Sequence, residues 1–176
     1  MGTAAVVIAI VMAQLVAAQP AAAVAISPNA FVSLHVVSTP NPTLNCASNE
    51  VMIGIHFAQG KATCAQLNFG YRVASTIIDP SGFGSTQVSS NPSMHGCPTS
   101  YLIQGINLQS EYLTCVSLRD SVGNALDLTA FVHDGRGNDG TQSTIYGINN
   151  PRMHVCGVNL AMKGVHRSQN DLFCAG

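Results

Sequence analysis

Cysteine and histidine are the residues of this chain whose types and spacing could do chemistry. Cys46 and Cys64, Cys97 and Cys115, and Cys156 and Cys174 each read C-x17-C. Four of the six histidines fall into two sets that follow the same rhythm. The first set, Asn45, His95 and His154, lies just before the first cysteine of each pair. The second, His56, Asn107 and His166, lies two residues past a glycine. Every member is His or Asn, and both side chains carry a donor and an acceptor on a short flat group. Shared hydrogen bonding explains such a mixture better than proton transfer does. The expectation is a structural bracket between the pre-cysteine segment and a hairpin, with a polar ligand site in each unit as the alternative.

The residues between the cysteines align as well. Met52, Ile103 and Met162 stand six past the first cysteine, Gly54, Gly105 and Gly164 eight past it, and Ile55, Ile106 and Val165 nine past it. Ala62, Leu113 and Leu172 precede the second cysteine by two, on its own face of an extended strand. Upstream, Asn41 to Asn45, Asn91 to His95 and Asn150 to His154 share N-P-x-(L/M)-(H/N), with Gly96 or Val155 as a spacer in the last two copies. Further back, Ile26-Ser27-Pro28-Asn29 aligns with Ile78-Asp79-Pro80-Ser81 and, more loosely, with Val132-His133-Asp134-Gly135. One unit is repeated three times, at about 24-76, 77-129 and 130-176.

Charged residues are 9% of the chain and the formal net charge is -1, against roughly 25% charged in ordinary soluble domains. A nucleic-acid partner has no electrostatic footprint here. Residues 4 to 18 are apolar except for Gln14, and small-residue sites follow at Val16-Ala17-Ala18 and Ala21-Ala22-Ala23. A signal peptide over 1-23 is therefore expected, leaving 24-176 as one domain. The segment has no Lys or Arg, and the alternative is a retained N-terminal anchor, in which case alone a membrane contact follows.

Six cysteines behind an export signal read as disulfides, in a secreted or extracellular protein, or a periplasmic one if the source is bacterial. Fifteen pairings exist. A threefold repeat leaves those that join first to second cysteines in cyclic order. The invariant interval favours pairing within units: Cys46-Cys64, Cys97-Cys115 and Cys156-Cys174. A hairpin turning at Gln109 to Glu111 puts Cys115 opposite a residue near Gln104, so each bridge must reach a segment that curls back beside the hairpin.

Unit two shows the strand pattern most fully. Val73 to Ile78, Ser85 to Ser89, Tyr101 to Leu108 and Tyr112 to Leu118 are separated by turn residues, and no amphipathic helical run follows residue 24. The expected fold is all-β, with roughly twelve strands in three four-stranded units around a pseudo-threefold axis. A β-prism is the first choice and a β-trefoil the alternative. Gly54, Gly105 and Gly164 sit inside strand patterns, where glycine marks a bulge or a close backbone approach. An alanine at Gly105 is costly if its φ is positive.

The run from Cys97-Pro98 to Ile106 resembles the repeats of dermatopontin-type proteins. The threefold arrangement is similar to that of vitelline membrane outer layer proteins and prism lectins. The chain has no Trp and lacks the Asp-Arg-x-Trp element of the first family, so no functional residue is carried over from any of them.

For function, these observations point to a secreted binding module, with glycans or other extracellular surface components as partners and a lectin-like mode. The alternative is a structural or self-assembling surface, matrix or fibre protein, because low charge favours self-association. A metal would need the axis to gather two His and one Asn with no carboxylate beside them, so no metal or cofactor is expected. The polar loop His133 to Gly140 places Arg136 where a calcium loop of the EF-hand type needs an acid, and reads as a solvated turn. No nucleophile or zinc-protease motif is present and the acids are dispersed. An enzyme is not expected, a hydrolase site assembled by the fold being the alternative.

Overall fold

The computed structural model describes residues 30-79, 95-128, 132-134, 153-157, 159-166 and 171-176. Twelve strands stand among them: β1 Phe31–Ser38, β2 Thr43–Asn45, β3 Glu50–His56, β4 Lys61–Leu67, β5 Tyr71–Asp79, β6 His95–Gly96, β7 Leu102–Asn107, β8 Leu113–Asp120, β9 Val132–Asp134, β10 His154–Val155, β11 Ala161–His166 and β12 Asp171–Ala175. A 3-10 turn, Phe57–Gln59, caps the first hairpin, with Gly60 in the left-handed region that closes it. Among the described residues no helix is long and apolar enough to cross a membrane. The protein is all-β and carries three disulfides.

The strands form three open four-stranded sheets, β1-β4-β3-β10, β2-β7-β8-β5 and β6-β11-β12-β9. Each is centred on a hairpin that begins a few residues past the first cysteine: β3-β4, β7-β8 or β11-β12. A longer strand, β1 or β5, or the three-residue β9, flanks the second hairpin strand. The fourth strand is borrowed. Strand β2 of the first unit pairs with β7 of the second, β6 of the second with β11 of the third, and β10 of the third with β3 of the first. The sequence expectation had each unit supply its own four strands, with Ser85 to Ser89 as one of them; that segment lies outside the described residues, and exchange supplies the fourth strand instead.

Register corrects two further alignments. Val37, Asp79 and Asp134 face Ala62, Leu113 and Leu172 and are the equivalent positions of the outer strands. The unit-one counterpart of Ile78-Asp79 is therefore Val36-Val37 in β1, and Ile26 to Asn29 lies outside the described residues. The expected 76/77 boundary falls inside β5.

Each hairpin carries a bulge where the sequence has its repeated glycine. The ladder slips between Met52 and Gly54, Ile103 and Gly105, and Met162 and Gly164, so the extra residues are Ile53, Gln104 and Lys163. The bulge lets both Met52 and Ile55 face one side although they are three apart. Those residues, their equivalents and all six cysteines form one buried cluster. Val51, Ile53, Ala65, Leu102, Val116 and Leu118 form a second cluster from intervening positions of the same strands. The hairpins are thus buried on both faces, which is why their sequences read as apolar runs rather than strict alternation.

The bridges join Cys46 to Cys64, Cys97 to Cys115 and Cys156 to Cys174. Cys115 faces Ile103 across its hairpin, and its partner Cys97 stands immediately after β6, in the neighbouring sheet. Each bridge therefore ties a hairpin to the exit of the short strand that its own unit has lent away. Closing a loop of this length stabilises by roughly 3 kcal/mol in the chain-entropy model.

Candidate functional site

The repeated polar residues converge on the three junctions where a short strand enters the next sheet. The backbone is the same at each. The first-cysteine N–H donates to the bulge carbonyl: Cys46 to Gln104 at 2.9 Å, Cys97 to Lys163 at 2.8 Å and Cys156 to Ile53 at 2.7 Å. The strand passes so close that a Cβ on Gly54 would lie 2.7 Å from the His154 carbonyl oxygen. On Gly105 it would collide with the Asn45 side chain and lie 3.2 Å from the Leu44 carbonyl. Positive φ occurs among the described glycines at Gly60 and Gly123 and not at Gly105; the requirement for glycine there is close approach, not a left-handed backbone.

Register regroups the first His/Asn set. Leu44, His95 and His154 face Ile106, Val165 and Ile55, whereas Asn45 stands level with Gly96 and Val155, opposite the glycines. Counting back from the cysteine with no spacer gives this alignment. Leu44, His95 and His154 are all buried, while Asn45 is exposed. Asn45 is not the third member of a His/His/Asn site.

His95 lies 3.7 Å from Asp79 through Nε2 and Oδ1, both groups being buried. Burial holds the His95 pKa below the ordinary value, an effect that the Asp79 charge and hydrogen bond and the Glu111 backbone partly offset. In the first unit the same two positions are Leu44 and Val37, packed in the first core cluster. In the third they are His154 and, by register, Asp134.

The second set is divided. Asn107 acts as a bracket: Nδ2 donates to Thr43 Oγ1 at 2.8 Å, and Oδ1 accepts from the Gln109 and Ser110 N–H groups at 2.9 Å each. It thereby fixes the hairpin tip and fastens it to the borrowed β2. His56 and His166 are buried at the ends of β3 and β11, opposite Lys61 and Asp171 in register. Burial gives these two imidazoles no open approach for a bulk ligand.

Sequence reading passed over the bulge residues themselves, seven past the first cysteine. Gln104 Nε2 donates to the carbonyls of Ala47 (3.0 Å) and Ser48 (3.4 Å) in the loop that follows the borrowed strand and of Glu50 (2.9 Å) at the start of β3. Lys163 Nζ does the same for Pro98 (3.2 Å) and Tyr101 (3.3 Å) in the loop between β6 and β7. Burial pushes the Lys163 amine down to about 8, against the pull of the Asp127 charge. Ile53, the third equivalent, has no donor. The legible signal was one polar residue between apolar neighbours immediately before each glycine in units two and three.

Other groupings lie away from the junctions, most of them at the surface. Ser75 Oγ meets Ser117 Oγ at 2.6 Å and Tyr101 Oη at 3.2 Å, an uncharged cluster of hydroxyls on β5, β8 and the loop before β7. Phe69 and Val122 are 99% and 79% exposed on turns at one end of that sheet, next to the Tyr71–Asp120 pair. His35, Glu50 and Cys64 are close enough to share a metal ion. The Cys64 sulfur is bonded to Cys46, so it offers no thiolate, and Glu50 already accepts from the Ala47 N–H at 2.8 Å. The loop from Gly135 to Gly140 lies outside the described residues.

No family model matches the chain, and neither a curated protein nor a solved structure matches it.

Proposed function

We propose that this chain is a secreted binding module of β-prism-like, pseudo-threefold build, taking glycans or other hydroxyl-rich components of an extracellular surface on its outer strands and turns. Three separate open sheets, each centred on one unit's hairpin, favour the prism over the β-trefoil and its barrel. Three disulfides suit an oxidising compartment. The observation that carries the binding reading is the contrast in polar groups. Repeated His residues are buried, whereas the Ser75–Ser117–Tyr101 hydroxyls stand uncharged at the surface. Hydroxyls beside an aromatic ring match a neutral polyol better than an ion. A glycan array and pull-down on insoluble polysaccharides test it: binding that drops in Ser75→Ala and Ser117→Ala supports it, and no binding to any glycan or polysaccharide overturns it.

A structural, self-assembling role is the second reading. It rests on Val32 and Val36 of β1 and Ile78 of β5, apolar and exposed on the edge strands of two sheets. Long edges with apolar side chains are templates for strand pairing. Sedimentation velocity across a concentration series tests this: a monomer at all concentrations overturns it.

A further inference from the structure

The three junctions share a backbone but are not equally fastened. The first joins units one and two and the second joins units two and three, which also follow each other along the chain. The third, β10 on β3, brings the last unit back to the first with no such covalent neighbour. All three disulfides lie within units, so none crosses that contact from one unit to another. The side-chain latch differs too. Gln104 and Lys163 donate to the loop carbonyls at the first two junctions. At the third the equivalent residue is Ile53, which is aliphatic and fully buried in the second core cluster. Among the described residues, β10 pairs with β3 over two residues, the Cys156 N–H donates to the Ile53 carbonyl at 2.7 Å, and His154 is buried beneath the strand.

We infer that the protein opens at the β10–β3 junction and exchanges this contact with a second copy of itself, β10 of one chain pairing with β3 of another while every disulfide stays intact. The freed β3 edge is matched by β10 of another copy, which carries the pairing partner already seen within one chain. Exchange of an identical element between protomers creates no new type of contact, so its cost is small. This mode goes beyond both readings above, because it uses buried junction residues and neither the hydroxyl cluster nor the exposed edges of β1 and β5.

Single variants His154→Cys and Ile55→Cys, whose positions face each other in register, are mixed at high concentration, warmed below the melting point and oxidised. The expected product is a dimer linked between position 154 of one copy and position 55 of the other, with the three native bridges intact by peptide mapping. Adding Ile53→Gln to both partners restores a donor to the closed junction, which must break before exchange, and slows the formation of the linked dimer roughly fivefold, the factor that a net contribution near 1 kcal/mol makes in the population of the opened form; an unchanged rate overturns opening at this junction. The double variant His154→Cys/Ile55→Cys bridges within one chain and shows that the positions meet. If it bridges while the mixed single variants stay unlinked, the exchange is overturned. If it fails to bridge, the junction itself is overturned.

Discussion

The junction between units one and two and that between units two and three solve the same backbone problem with opposite chemistry. Both insert a short strand beside a bulged hairpin, and both use the first-cysteine N–H to satisfy the bulge carbonyl. At the first, Leu44 and Val37 fill the space beneath the strand and the neutral Gln104 amide holds the following loop. At the second, His95 and Asp79 fill it and the Lys163 ammonium holds the loop. Main-chain geometry is thus the invariant of the repeat, and the side chains need only satisfy whatever polarity they bring. The difference also bears on pH: the second junction fills its three variable positions with the ionisable His95, Asp79 and Lys163, and the first fills them with the uncharged Leu44, Val37 and Gln104.

The largest losses are expected at the bridges. Removing Cys46–Cys64 or Cys97–Cys115 by paired Ala substitution is expected to cost about 3 kcal/mol each, measured by urea denaturation. Strongly unequal losses would show that the two frames are not equivalent. Gly54→Ala is expected to cost about 3 kcal/mol, because the new methyl meets the main-chain oxygen of His154, which cannot turn aside. Gly105→Ala should cost less, about 1 kcal/mol, since its nearest obstacle is the exposed Asn45 side chain.

The charged junction also predicts an alkaline signature. Lys163 has a folded pKa of about 8 against 10.5 for the free group. Between those values the unfolded chain holds a proton that the native chain has released, so stability rises with pH across that window. The gain is on the order of 2 kcal/mol by pH 10. Lys163→Gln, which copies the first junction's amide, should flatten the profile in that range while keeping the melting temperature at pH 7 close to wild type. A smaller acid effect comes from His95. Its folded pKa is lowered by burial, so below the free value of 6.5 the unfolded chain takes up a proton that the native one resists, and stability falls with falling pH. The double variant His95→Leu/Asp79→Val, which copies Leu44 and Val37, should soften that acid decline. An unchanged slope would mean that the acid sensitivity does not come from this pair.

Much of the frame was legible along the chain. The C-x17-C interval marked the hairpins, the bridged pairs and the inward residues Met52, Ile103 and Met162, because a fixed spacing from a covalent anchor reappears as a fixed place in the core. Gly54 and Gly105 were readable as a bulge or close approach, and the choice between them was not: a strand cannot announce what passes over it. The same blindness misassigned Asn45. Its lead-in motif matched by residue type, while the fold aligned it by distance from Cys46, since pairing register is set by hydrogen bonds counted from the junction.

The all-β pattern, the three bridges and the apolar positions between them were readable in the chain, because each is a local or periodic property. Tertiary structure alone decided that each unit completes its neighbour, that Gln104 and Lys163 latch loops more than 50 residues away in sequence, and that the repeated histidines are interior. Those outcomes depend on which unit's backbone lies against which, a choice made by packing three two-faced sheets together. No single unit's residues carry it.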